Sequence, residues 1–243
     1  MYRHPFTEKN NDVMNRIKRI KEFRLASSAK PTRDFAERPY QFFSSPQELN
    51  KNYLVVPRVS SERRKYIPIG FLGKNEIAAD SVSIVHLGNN NGLYEFGIIE
   101  SAVHMAWMRI VAGRLKSDYR YSGAVVYNNF VWPSVSQELK QAIELSAQGI
   151  LDARANHPDL SLADLYDDLT MPTDLRKAHK ANDRAVMKAY GFKSSMPESE
   201  IVAELFKLYQ KKVDELAEAE AAQKATKKPR KRKTAATAPA EPE

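Results

Sequence analysis

The chain has 243 residues, 42% of them hydrophobic, with 13 Pro, 9 Gly and no Cys. That composition fits a globular protein of one or two domains, and the missing thiols exclude disulfide frameworks, cysteine nucleophiles and Cys-ligated zinc. No apolar run reaches the roughly 18 residues a membrane span needs, and MYRHPFTEKN lacks the apolar core of a signal peptide, so no membrane partner and a cytoplasmic location are expected.

The net charge of +8 is unevenly spread. Residues 1–133 hold 20 basic and 12 acidic side chains, residues 134–223 hold 11 and 16, and the remaining tail holds 7 and 2. A basic first half beside an acidic second half points to a polyanion met by the first half only, because phosphate attraction needs Lys and Arg gathered on one surface. Chance asymmetry on solvated faces is the alternative.

In chain order, Val13, Ile17, Ile20 and Phe23 recur at helical spacing and predict an amphipathic helix over 7–26. From Tyr53 to Tyr127 short apolar runs follow, YLVVPRV, YIPIGFL, SVSIVH, LYEFGII and AVVY, separated by Gly, Asn, Asp and Ser. These predict strands joined by turns. One helix interrupts them, where Val103, Ala106, Trp107, Ile110, Val111 and Leu115 trace a stripe behind a cap at Ser101. After Pro133 the pattern turns helical. Ser134 with Gln137 predicts a capping box before Leu139, Ile143, Ala147 and Ile150, and Ser161 with Asp164 caps a short helix. Pro172 opens a third helix that Gly191 ends, and Ser195 with Glu198 opens a last one through Leu205 and Lys212. Beyond about Ala217 the apolar surface is too small to offset ordering entropy, which predicts disorder. The expected fold is α+β: an N-terminal helix or linker (1–26), a mixed β domain with an embedded helix (27–133), an all-α C-terminal domain (134–216) and a disordered basic tail (217–243).

Enzymatic motifs are missing. There is no G-x-G, no G-K-S or G-K-T, no G-x-S-x-G elbow, and no His pair at H-x-H or H-x-x-x-H spacing. Asp164, Asp167 and Asp168 cluster around a capped helix, where an electrostatic role is expected rather than a metal site. No catalytic, cofactor-binding or metal-ligating residue is therefore assigned.

Binding chemistry is present in three clusters. Arg58-Val-Ser-Ser-Glu-Arg-Arg-Lys-Tyr66 joins two predicted strands, and its Arg58, Arg63 and Arg64 suit phosphate contacts, with a soluble hairpin tip as the alternative. Gly113-Arg-Leu-Lys-Ser-Asp-Tyr-Arg-Tyr-Ser122 supplies Arg114, Lys116 and Arg120, two stacking rings in Tyr119 and Tyr121, and Asp118 between them. In a groove, Lys donates to guanine O6 and N7 while Asp accepts from cytosine N4. On an extended segment Lys116 and Asp118 would project to one side and read both bases of a G·C pair, a surface salt bridge being the alternative. The third cluster, Tyr127-Asn-Asn-Phe-Val-Trp-Pro133, offers Asn128 as a DNA contact, while Phe130 and Trp132 read as core.

The runs PRVSSERRKYIPIGFL (57–72), LYEFGI (93–98), HMAWMRIVAGRLKSDYRYS (104–122), VYNNFVWP (126–133) and LADLYDDLTMPTDLRKAHKANDRAVMKAYGF (162–192) closely resemble the C-terminal part of MmeI-like DNA methyltransferases, the type IIL restriction-modification enzymes and their relatives. The resemblance runs from about Ile20 to Tyr209. It implies a target-recognition domain followed by a C-terminal helical domain, which together hold double-stranded DNA against a domain that methylates adenine N6. It further implies that Lys116 and Asp118 select guanine beside the target adenine and that Arg120 helps read another position; beside these base readers, Arg58, Arg63, Arg64 and Arg114 are expected to position the phosphates. The family's nuclease region, S-adenosylmethionine loop and N-P-P-F or N-P-P-Y motif do not occur in this chain.

The expectation is thus a sequence-specific recognition fragment, inactive alone, whose S-adenosylmethionine cofactor and catalysis belong to a separate methyltransferase polypeptide in a prokaryotic, nucleoid-associated setting. The rival is a nonspecific nucleic-acid-binding scaffold acting through the tail Lys227-Lys-Pro-Arg-Lys-Arg-Lys233, or a truncated remnant.

Overall fold

The computed structural model describes residues 10–43, 51–87 and 90–226. The first helix, α1 (Asn11–Leu25), starts where the Asn10 side chain accepts from the amides of Asp12 and Val13. Residues 7–9 of the expected helix lie outside the described residues. Arg24 in its last turn donates to the carbonyls of Phe35, Arg38 and Gln41 at 3.1, 2.7 and 2.7 Å. That one guanidinium folds the short α2 (Lys30–Asp34) and the 3-10 turn Phe35–Glu37 back against α1.

Two small antiparallel sheets follow. In the first, β1 (Tyr53–Pro57) lies between β3 (Gly70–Leu72) and β4 (Val82–His86), with Leu54 opposite both Phe71 and Val85. In the second, β6 (Asp118–Arg120) lies between β2 (Val59–Ser60) and β5 (Gly113–Leu115). The chain changes sheets at Arg58, whose amide donates to Ser81 O at 2.9 Å while its carbonyl accepts from Tyr121 at 2.8 Å. Of the expected strand YIPIGFL only the last three residues pair, because Pro68 has no amide to contribute to a ladder.

Two expected strands are helical. LYEFGII forms α3 (Leu93–Ile99), for which the chain turns through Gly92 at φ +74° while the side chains of Asn90 and Asn91 accept from the amides of Gly92 and Leu93. A short run that is apolar but for Glu95 carries no period that separates strand from helix. AVVY lies in a π-helical turn, Gly123–Tyr127, held by Trp107 Nε1 donating to Val126 O and by Asn129 Nδ2 donating to the carbonyls of Ala124 and Val125. The helix α4 (Ala102–Val111) does start at Ser101, but it ends before Leu115, which belongs to β5.

The helical half contains α5 (Gln137–Ala155), α6 (Leu162–Leu165), α7 (Thr173–Ala189) and α8 (Glu198–Thr226). Ser161 and Asp164 make the expected capping box, and Gly191 ends α7 at φ +72°. The cap of α5 is Ser136 rather than Ser134: its hydroxyl accepts from Leu139 N. Helix α8 runs on through Thr226, beyond the expected start of disorder at Ala217, while the basic run 227–233 lies outside the described residues. Helix α3 packs against α5 so closely that a Cβ at Gly97 would meet Ile143 Cγ2 at 2.8 Å. One core, including Leu54, Phe96, Met105, Ile143, Leu175 and Leu205, runs through both halves, and Phe130 and partly buried Trp132 belong to it as expected. Among the described residues no helix is long and apolar enough to cross a membrane.

Candidate nucleic-acid interface

The β2-β6-β5 sheet sets the strand that follows Arg58 against the hairpin that carries Arg114, Lys116, Asp118 and Arg120. Val59 pairs with Arg120, Ser60 and Arg114 with Tyr119, and Leu115 with Asp118. Side chains alternate across a strand, so Asp118 and Arg120 share one face with Val59 and Leu115, and Tyr119 turns to the other. On the first face Arg120 is exposed, as are Val59 and Leu115, and Asp118 is half-buried. Among the described residues Lys116, Asp118 and Arg120 form no ion pair, so a Lys116–Asp118 surface salt bridge is not what holds them.

Lys116 and Ser117 are the two-residue turn between β5 and β6, and Lys116 has φ +56°. The extended segment expected for Lys116 and Asp118 is therefore absent, and alternation cannot put those two side chains on one side. The pair that shares a strand face is Asp118 with Arg120. Left-handed backbone at a lysine costs about 1 kcal/mol, which the neighbouring contacts must offset.

The two tyrosines are not free stacking faces. Tyr121 is buried, its hydroxyl 3.0 Å from His104 Nε2. Tyr119 is 8% exposed and is covered by the Arg114 guanidinium, 3.8 Å from its ring centroid. Burial pushes the Tyr121 hydroxyl upward and holds the His104 imidazole down at about 3, so both are neutral packing groups. Asn128 is exposed just past the π-helical turn and lies outside the sheet.

The basic loop after β2 sits beside this sheet. Arg58 pairs with Asp80 at 2.8 Å, and Arg114 approaches Glu62 at 3.8 Å. Among the described residues the guanidinium groups of Arg63, exposed, and Arg64, half-buried, have no carboxylate partner. The loop is tied down at its end: Arg109 donates to Lys65 O at 2.7 Å and pairs with Glu198 at 2.8 Å.

Sequence reasoning missed the polar network beneath this loop. Arg154 donates to Glu100 Oε1 at 2.9 Å, to Ile69 O at 2.8 Å and to the Tyr166 hydroxyl, which lies 2.8 Å from His179 Nε2. Burial lifts the Glu100 carboxyl to about 7 against the pull of Arg154, and holds His179 down at about 3. Next to it Asp183 accepts from the Tyr66 hydroxyl at 2.6 Å and from Ala102 N at 2.7 Å. A signal for these residues existed: His179 and Asn182 fall in register with Leu175 and Val186, and Arg154 with Ile143, Ala147 and Ile150, polar groups on core-facing stripes.

The three acids near α6 are engaged locally. Asp164 accepts from the amide and hydroxyl of the helix cap Ser161, Asp167 accepts from Leu169 N, and Asp168 pairs with Arg176. Among the described residues no group of three or more His, Asp or Glu is placed to hold a metal.

The described residues thus form two small antiparallel sheets that present a charged hairpin and share one core with the helices of the second half. Residues 4–134 match the family model described as MmeI, target recognition domain, and residues 135–217 match MmeI, C-terminal domain. The chain belongs to the MmeI family. DNA methyltransferase A of Bacillus subtilis (strain 168) is 38% identical over 198 residues, covering 82% of this chain and 22% of that protein. The solved structure of the type IIL restriction-modification enzyme MmeI in complex with DNA shares 46% identity at a TM-score of 0.76, over 83% of this chain and 26% of that one. The chain thus spans about a quarter or less of the length of these relatives.

Proposed function

We propose that this chain reads a DNA sequence for an adenine-N6 methyltransferase of the MmeI type. The β5–β6 hairpin enters the major groove, where Lys116, Asp118 and Arg120 meet base edges, while Arg58, Arg63 and Arg64 contact phosphates on its flank and Asn128 is a further contact. S-adenosylmethionine binding and methyl transfer come from a separate methyltransferase polypeptide, and the chain alone is inactive. Its setting is then the prokaryotic cytoplasm, at the nucleoid.

The observation that carries this reading is the register of β6. It puts Asp118 and Arg120 on one accessible face, without ion partners among the described residues, on a ribbon of a width that a major groove admits. The membership of the chain in the MmeI family and its likeness to a relative solved with DNA support it.

The test is selection of a randomised duplex library by the purified full chain at moderate salt, with a parallel methyl-transfer assay. An enriched asymmetric motif with a fixed G beside an A, and no transfer by the chain alone, is the expected result. A flat profile whose affinity vanishes on deletion of residues 225–243 would overturn it in favour of nonspecific binding through the tail. Methyl transfer by the chain alone would overturn the assignment of catalysis elsewhere.

A further inference from the structure

Arg114 sits among the residues whose sequence suits phosphate contact, yet its surroundings differ from those of Arg58, Arg63 and Arg64. It pairs with Tyr119 across β5–β6, so its side chain leaves the hairpin on the face opposite Asp118 and Arg120. The guanidinium lies over the Tyr119 ring at 3.8 Å, donates through Nη1 to Ser117 O at 2.8 Å, and has Glu62 at 3.8 Å. Ser117 is the second residue of the turn whose first residue, Lys116, is left-handed.

We propose that Arg114 is a positioning residue: it locks the two-residue turn and thereby sets the direction of Lys116 and Asp118 toward the bases. This deepens the recognition reading and rests on it. An unassisted turn with a lysine at positive φ has alternatives close in energy, because neither Gly nor Asn fills the strained position. A planar cation stacked on a buried ring, with one N–H bonded to the turn carbonyl, selects one of them. Lysine has the charge without the plane, so it cannot make both contacts in this geometry.

Two substitutions and two measurements test the assignment on the full chain. In Arg114→Lys and Arg114→Gln, amide hydrogen exchange at residues 115–118 speeds up several-fold while the melting temperature and exchange in α5 and α7 stay as in the parent. Adding Lys116→Gly to Arg114→Lys restores slow exchange, since glycine adopts the left-handed turn unaided, whereas a general loss of packing at Tyr119 would not be rescued. In the library selection both single variants flatten the preference at the base read by Lys116 and Asp118 and leave the slope of affinity against salt unchanged. Unchanged exchange at 115–118 overturns the lock. So does a salt slope reduced by about one in Arg114→Gln with an intact base profile, the mark of a lost phosphate contact. If the parent chain shows no base preference, the recognition reading fails, and the exchange and rescue arms still decide whether Arg114 holds the turn.

Discussion

Tyr66 and His179 stack with ring centroids 4.1 Å apart and planes inclined by 21°. The first ends the basic loop after β2 and the second faces inward from α7, so the helical domain supports the candidate phosphate-binding loop from below. Tyr66 also donates to Asp183, and its neighbour Lys65 receives Arg109 through the main chain.

Tyr66→Phe retains the stacked ring and removes the donor to Asp183, a carboxyl that burial already pushes above its usual range. The expected cost is about 1–3 kcal/mol, the penalty for an under-satisfied buried acceptor, read by urea denaturation. Faster amide exchange over residues 61–65 should accompany it.

Arg154→Met leaves Glu100, which is fully buried, without its cation. Breaking such a pair from one side costs about 3–5 kcal/mol. The double variant Arg154→Met with Glu100→Gln should recover a measurable part of that loss in a denaturation cycle. Strict additivity would show that the two groups do not act as a pair.

Acid stability follows from three buried groups. His104 and His179 are held near 3, below the ordinary 6.5, so the unfolded chain binds two more protons than the folded one once pH falls below about 6.5. Glu100, raised from about 4.5 to about 7, works the other way and takes up one proton in the folded state across that interval. From these three groups the net is one proton favouring unfolding, so stability falls by up to about 1.4 kcal/mol for each unit that pH drops between about 6 and about 5, and Asp183, which burial also raises, acts with Glu100 to lessen the slope. Glu100→Gln removes the opposing contribution and should roughly double the slope. Denaturant melts at pH values of about 5, 6 and 7 measure both, and a flat profile would contradict the neutral state of the two buried imidazoles.

Lys116→Glu combined with Asp118→Arg reverses the charges at the hairpin tip while leaving the main chain as it is. Under the proposed function the preferred base next to the adenine changes and total affinity on the newly preferred site stays within about tenfold of the parent, since one good bidentate contact replaces another. Equal loss on all sequences in a library selection would argue against base reading by this pair.

The sequence showed the helical half more plainly than the β half, for physical reasons. Ser161 and Asp164 cap a helix three residues apart, and Leu175, Asn182 and Val186 repeat at 3.6 residues, so their signals lie within a few positions of one another. The pairing of Val59 with Arg120 joins distant parts of the chain and leaves no local trace. LYEFGII misled because it is apolar almost throughout, and the helix start depends on Asn90, Asn91 and the positive φ of Gly92. At the candidate interface the residue types were legible in the sequence: Lys116, Asp118 and Arg120 lie on one hairpin, which pairs with the strand between Arg58 and the loop of Arg63 and Arg64. Their orientation was not, because a Lys-Ser turn lacks the Asn-Gly signature of a two-residue hairpin loop, and the burial of Tyr119 and Tyr121 depends on Arg114 and His104.

Arg58 joins the two sheets through its amide and carbonyl, and Asp118 and Arg120 hold their ladder positions the same way. The scaffold is written in peptide groups that every amino acid but proline possesses, and the outward side chains are left as a replaceable text. Under the proposed function, a lineage of such proteins can therefore rewrite what it recognises at these outward positions without renegotiating how it folds.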